Sequence, residues 1–399
     1  MKSKIRIVGV LLCIPLMVAA QQQNKELDTL IEIALASNKS IQASLANVEA
    51  QHAQVRTAWD LGKTELYYNH DANNRASNDR ALRVFGIAQE FQFPTIYATQ
   101  RGVSKSKYME QKAQHQLVVN QLSLAISQVY DDIVYLQNKE KLYQRIDSLY
   151  ANFAKAGARK FELGEANYLE KLTSASKMKQ VSLQLRQVQA QTKSAYEQLA
   201  TLVQSDESLS VSNQRLRMFD KELTSDGRYW QEEYLNRVSH TFKKQLSLET
   251  QSWIPTFNVE LFTGTNPTLD GHMHGFQIGV GIPLFFTSNI AKRKAALWQQ
   301  RSWSYEQESR RVQMDRYVIQ QEVEIEQLLE HIRYYQQEGK QLSAEILKTA
   351  EQSYKSGEID YFQFIQSIEN ATELEVNYLE SVLAYNRACL KLYYFDFKA

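Results

Sequence analysis

Near its C-terminal end the chain has a glycine-containing turn followed by a long amphipathic pattern, and this combination limits the folds that it can adopt. After Gly357, apolar residues recur at steps of three or four, the spacing of one helix face. They are Ile365, Ile368, Ala371, Leu374, Tyr378, Val382, Tyr385, Cys389 and Leu392. Leu379, Leu383 and Leu390 form a second stripe beside the first, so the helix is expected to contact more than one neighbour. Glycine tolerates the left-handed conformation that ends a helix, so residues 354–358 predict the tip of a helical hairpin.

The same pattern occurs earlier in the chain, in one fixed register. The matched pairs are Phe161 with Tyr354, Gly164 with Gly357, Glu165 with Glu358, Asn167 with Asp360, Tyr168 with Tyr361, Ala195 with Ala388 and Leu199 with Leu392. We therefore interpret the chain as a tandem duplication. Residues 21–204 form the first repeat, with its tip at about 157–164, residues 205–228 form a polar linker, and residues 229–399 form the second repeat.

Composition favours very long helices. Only 5 prolines and 14 glycines occur among 399 residues, and no proline interrupts the helical pattern from Pro94 to about Ala156. At 1.5 Å per residue, about 60 residues make a helix roughly 90 Å long. The net charge of +1 gives no basis for predicting a nucleic-acid partner.

The N-terminus has the pattern of a secretory signal peptide, residues 1–20. Basic residues precede an apolar run that ends in small residues at Ala20. Cys13 leaves lipid attachment open, although Leu12 stands where a small residue is usual. Cleavage after Ala20 would leave Cys389 as the only cysteine, and hence no intramolecular disulfide.

Four segments alternate between apolar and polar residues and predict strands, at about 64–71, 82–93, 256–263 and 275–284. Pro94 and Pro283 stand at the two strand-to-helix junctions. The segments are long enough to cross a hydrocarbon layer at a tilt, with one face toward lipid and the other toward a lumen. Open strand edges do not persist in lipid, so several copies must pool their strands, and three copies would supply twelve.

With these elements assigned, the chain resembles the TolC family of outer-membrane efflux proteins over its whole mature length. The most specific motifs are the tips FELGEANY and YKSGEIDY, the return helix ending LAYNRACLKL, and the proline-bounded strand pairs. The resemblance implies a mainly helical chain that forms a homotrimer, with a periplasmic α-barrel and a twelve-stranded β-barrel in outer-membrane lipid. It also implies a periplasmic adaptor, or membrane fusion protein, and an inner-membrane pump of the resistance-nodulation-division (RND) or ABC class.

The resemblance assigns roles to individual residues. The adaptor-docking tips would be Phe161, Gly164, Glu165, Tyr354, Gly357 and Glu358. The periplasmic constriction would involve Asp360, Tyr361, Gln363 and Gln366. Some multidrug members have aspartates where this chain has Gln363 and Gln366, which argues against a strongly acidic ring.

Aromatic residues near the strands suit a girdle at the membrane interface: Phe85, Phe91, Phe93, Phe285 and Phe286. His272 and His274 do not complete a metal site, and the sequence contains no catalytic or cofactor-binding motif. We therefore expect no enzymatic activity and no cofactor. A type I protein-secretion duct and a periplasmic coiled-coil scaffold or adaptor remain alternatives to an efflux duct.

Overall fold

The computed structural model describes residues 14–71, 81–205, 209–212, 215–219, 230–265 and 272–395. The helices are α1 (Ile14–Ser37), α2 (Lys39–Gln54), α3 (Pro94–Glu162), α4 (Tyr168–Val203), α5 (Trp230–Thr250), α6 (Thr287–Tyr334), α7 (Lys340–Ser356) and α8 (Tyr361–Phe395). The strands are β1 (Glu65–Asp71), β2 (Leu82–Phe91), β3 (Thr256–Thr265) and β4 (His272–Gly281). Cys13, most of the predicted signal peptide and parts of the predicted linker lie outside the described residues.

The predicted fold class, mainly helical with a small β part, is confirmed. Helix α3 contains 69 residues, which at 1.5 Å per residue extend roughly 100 Å. It begins at Pro94, because proline suits the first position of a helix, where its missing N–H is not needed. The helix continues through Glu162, so the first tip is shorter than the predicted 157–164. Helix α7 likewise continues through Ser356, inside the predicted tip at 354–358.

The four strands form one antiparallel sheet in the order β1-β2-β3-β4. Their ends differ slightly from the predicted ones. Strand β4 was expected at 275–284 but pairs from His272, opposite Thr265, to Gly281, opposite Thr256. Pro283 lies outside it because proline has no N–H to donate to a neighbouring strand. Likewise β1 begins at 65 rather than 64, β2 ends at 91 rather than 93, and β3 extends to 265 rather than 263.

The two faces of the sheet differ in chemistry. One face carries apolar residues on all four strands, and these residues are exposed to solvent in the single chain. They are Leu66 and Tyr68, then Phe85 and Ile87, then Leu261, and then Phe276, Ile278 and Val280. The opposite face is mainly polar or small, with Tyr67 lying over Gly86 and Phe262 over Gly275. Tyr67 also donates a hydrogen bond to the Glu260 carboxylate across the sheet.

Gly86→Ala is expected to destabilise the sheet by ~1–3 kcal/mol, the usual cost of overpacking. An added Cβ would overlap the outer atoms of the Tyr67 ring, which would have to move away from Glu260. Gly279→Ala is the matched control, because the nearest atom there, Asn258 Cβ, is 3.7 Å away. The measurement is the thermal unfolding midpoint of the purified protein. Equal midpoints for the two variants would contradict the close packing of Tyr67 on Gly86.

The chain divides into two compact units that cut across the predicted repeats. The first contains residues 1–43, 117–229 and 313–399, and the second contains 44–116 and 230–312. Each unit therefore takes segments from both repeats, and the division at residues 204 and 229 stays a prediction. Within the first unit, the predicted stripe on α8 is buried or half-buried along its length. Helix α8 thus packs its apolar face into the core of that unit.

Candidate functional site

Both hairpin tips close through the same backbone hydrogen bonds. Gly164 and Gly357 have φ of +76° and +77°, a conformation that costs a residue with a Cβ considerably more than glycine. In the first tip the Glu165 N–H donates to the Lys160 carbonyl at 2.8 Å. In the second the Glu358 N–H donates to the Ser353 carbonyl, also at 2.8 Å. This is the Schellman arrangement, and it explains the glycine in each tip.

The helix after each tip begins with a side-chain cap. Asn167 accepts a hydrogen bond from the Glu170 N–H at 2.9 Å. Asp360 accepts from the Gln363 N–H at 2.8 Å, and the Gln363 side chain accepts from the Asp360 N–H at 3.1 Å. This reciprocal pair is a capping box, which the spacing Asp-x-x-Gln indicates and our sequence analysis missed. Asp360 and Gln363 therefore have a structural role, and their part in a constriction, like that of exposed Gln366, stays a prediction.

The second tip contains an aromatic cluster. Tyr361 is only 5% exposed, and its ring stacks on Phe153 of α3 at a centroid distance of 5.2 Å. Phe364 and Tyr354 complete the cluster, with centroids 4.7 and 5.0 Å from that of Phe153. Burial raises the pKa of the Tyr361 hydroxyl above its usual range. Tyr361 thus packs within the hairpin, and its constriction role stays a prediction.

Among the described residues, the first tip has no equivalent cluster. Tyr168, the match of Tyr361, is 63% exposed. It contacts Phe161 at a centroid distance of 5.8 Å, and the Lys171 ammonium lies 4.6 Å from the Phe161 ring centroid. The two tips therefore present different surfaces although their backbones close in the same way.

The exposed surface of the tips combines glycine, carboxylate and apolar groups. Of the predicted docking residues, Gly164, Glu165, Gly357 and Glu358 are exposed, whereas Phe161 and Tyr354 are half-buried. Sequence reasoning did not single out the exposed apolar residues beside them, Leu163, Leu169 and Phe362. Their exposure depends on which helix faces pack together, so only their apolar character next to a tip glycine could have indicated them.

Most of the predicted interface aromatics lie at one end of the sheet. Phe91 is the last residue of β2 and pairs with Phe257. Phe93 lies just beyond it, and Phe285 and Phe286 stand between β4 and α6. Phe285 is 90% exposed. Phe85 lies instead within β2, against Tyr68 at a centroid distance of 4.6 Å.

None of the described helices contains an apolar run long enough to cross a membrane. Within the described ranges, no three His, Cys, Asp or Glu side chains approach closely enough to hold a metal ion.

Comparison with known proteins identifies the fold. No protein-family model matches the sequence, and no curated protein sequence matches it. The structure is similar to the outer-membrane channel OprN, with a TM-score of 0.81 and 13% identity over 93% of this chain and 90% of that one. It is also similar to the outer-membrane protein VceC from Vibrio cholerae (TM-score 0.77, 14% identity, 94% and 97% covered). The Campylobacter jejuni CmeC outer-membrane channel gives a TM-score of 0.79 at 12% identity, with 93% and 85% covered.

At sequence identities of 12% to 14%, the similarity to these structures establishes the fold alone. It agrees with the repeated tips and proline-bounded strands on which the sequence resemblance depended. The chain therefore has the fold of TolC-type outer-membrane channels.

Proposed function

We propose that this protein is the outer-membrane exit duct of a tripartite efflux system. The observation that carries the proposal is the exposed apolar face shared by all four strands. Phe276 is 73% exposed and Leu66 is 77% exposed, and such a face is costly in water but favourable against lipid. The opposite face, with Glu260 and Gln277, suits an aqueous lumen. The fold similarity to outer-membrane channels supports the same role.

The sheet also supports assembly of three chains. Strands β1 and β4 each have one unpaired edge within the sheet of a single chain, and unpaired edges are not stable in lipid. Neighbouring strands in the sheet are antiparallel throughout, so β4 of one copy would meet β1 of the next in antiparallel order. Three copies would then close a barrel of twelve strands, an even number as in other barrels of this kind.

The tips are proposed to contact a periplasmic adaptor. Exposed Gly164 and Gly357 leave the backbone accessible, and Glu165 and Glu358 add charge beside apolar groups. The proposed constriction residues on α8 are exposed Gln363 and Gln366 together with buried Tyr361, and Asp360 belongs to the same set next to the turn. An RND or ABC pump in the inner membrane would supply the transported molecule, and this chain would supply a passive path.

The proposal predicts discrete single-channel conductance for the purified protein in planar lipid bilayers. Phe276→Arg is expected to reduce the frequency of insertion strongly, since a lipid-facing arginine costs ~2–4 kcal/mol near the middle of a bilayer. Gln277→Arg is the matched control, because it adds the same charge to the next residue of β4 on the opposite face. It is expected to insert normally and to change ion selectivity.

Two outcomes would overturn this proposal. Folded trimers that never conduct would favour a periplasmic scaffold instead of a duct. Equal insertion by Phe276→Arg and the control would mean that the apolar face does not contact lipid.

A further inference from the structure

A cleft in the first compact unit concentrates positive charge. It has a volume of about 400 Å³ and lies between α3, the segment 215–219, the start of α7, and α8. Its basic side chains are Lys141, Arg145, Arg215 and Lys340. Glu375 is the acidic residue among the described lining residues. In a chain with a net charge of only +1, this is a marked local excess.

The carboxylate of Glu375 is already paired. It accepts two hydrogen bonds from Arg145 Nη2, at 2.7 and 2.6 Å. Within the described residues, no carboxylate lies at ion-pair distance from Lys141, Arg215 or Lys340. Three cations in one cleft therefore lack a described counter-charge. A cleft lined by charges of one sign raises the local concentration of ions of the opposite sign.

The cleft also contains an aromatic surface. The rings of Tyr335 and Tyr378 stack with centroids 4.2 Å apart and an angle of 17° between planes. Tyr335 begins a π-helical turn at Tyr335–Gly339, a feature common at functional sites. Gly339 is buried, and a Cβ added there would lie 3.1 Å from the Tyr335 ring. The glycine thus lets this ring lie close against the helix.

We propose that this cleft binds a small organic anion with a flat apolar body. The apolar body would lie against the Tyr335–Tyr378 stack and the buried side chains of Leu142 and Leu216. Its carboxylate, phosphate or sulfonate groups would face Arg215, Lys340 and Lys141. The volume falls within the range of ligand sites, about 300–1,000 Å³. The site does not depend on the proposed duct function, because it uses neither the sheet nor the tips.

The test is calorimetric titration of the full-length protein in amphipol with naphthalene-1,5-disulfonate at low fixed ionic strength. We expect one binding site per chain. The double variant Arg215→Gln/Lys340→Gln is expected to weaken binding at least about tenfold, because it removes two charged hydrogen-bond donors that would face the anionic groups of the ligand. The control Arg186→Gln/Lys193→Gln removes the same charge from exposed residues of α4 outside the cleft and is expected to bind like the unmodified protein.

A second pair of variants tests the aromatic surface. Tyr335→Leu is expected to weaken binding, whereas Tyr335→Phe, which keeps the ring, is expected to retain it. The proposal fails if the disulfonate does not bind, or if the two double variants bind it equally, because the attraction would then be non-specific. Inorganic sulfate that binds as tightly as the disulfonate would overturn the assignment of an organic ligand.

Discussion

Replacing Phe153 with alanine is expected to lower the free energy of unfolding by ~3–5 kcal/mol, the usual cost of truncating a buried phenylalanine. Phe153 is 5% exposed, and its ring joins α3 to the second hairpin through Tyr354, Tyr361 and Phe364. Removing it leaves a cavity that three rings cannot fill without leaving their positions. The measurements are the thermal midpoint and amide hydrogen exchange at residues 354–365, which should become faster.

The matched control is Phe362→Ala. Phe362 is a neighbour of the same cluster but is 59% exposed, so its removal is expected to change stability by less than ~1 kcal/mol. If both variants lose the same stability, the aromatic cluster does not secure the tip. If Phe153→Ala unfolds at a lower temperature but amide hydrogen exchange at residues 354–365 is not faster, the loss of stability arises elsewhere in the helices and not at the tip.

Asp131→Asn is expected to remove a pH dependence of stability. Asp131 is buried on α3 and accepts a hydrogen bond from Asn386 of α8. Asn386 in turn donates to the Arg217 carbonyl at 2.8 Å and accepts from the Phe219 N–H at 2.7 Å. Burial raises the pKa of Asp131 from 3.8 to about 7; the Asp132 charge adds to this, and Arg387 and the Asn386 hydrogen bond oppose it.

Stability depends on pH in this direction because Asp131 binds its proton more tightly in the folded state than in the unfolded state. Between about pH 4 and 7 the folded state holds a proton on Asp131 that the unfolded state has lost, so stability falls as pH rises through this range. Ionising the buried group costs on the order of 4 kcal/mol, at about 1.4 kcal/mol per pKa unit. Asparagine is neutral at every pH. Relative to the unmodified protein, the variant is expected to be more stable at pH 8 and similar at pH 4.

Thermal midpoints measured from pH 4 to pH 8 check this expectation. Asp315→Asn is the control, because it removes the same charge from an exposed residue of α6 and should leave the pH profile unchanged. A profile for Asp131→Asn that parallels that of the unmodified protein would show that Asp131 is ionised in the folded state without cost.

Local patterns predicted the parts of this fold that depend on neighbouring residues. A left-handed residue at a helix end is usually glycine, so Gly164 and Gly357 indicated both tips. Strand alternation indicated all four strands, because successive side chains point to opposite faces. The scarcity of proline indicated helices as long as α3.

Contacts between distant segments of the chain could not be predicted from local patterns. Strand β2 pairs with β3, which places Phe91 opposite Phe257. The ends of the strands depend on this register, so the alternation of apolar and polar residues along the sequence did not locate them accurately. Tyr168 and Tyr361 occupy matched positions, yet only Tyr361 is buried, because Phe153 lies against the second tip.

The basic cleft likewise gathers Lys141, Arg215 and Lys340 from three separate parts of the chain. Helices, strands and turns could thus be predicted from local patterns, since these elements depend on backbone conformation and on periodicity along the chain. Which side chains are buried, and which of them are in contact, could not be predicted in this way, because burial and contact depend on packing between residues far apart in sequence.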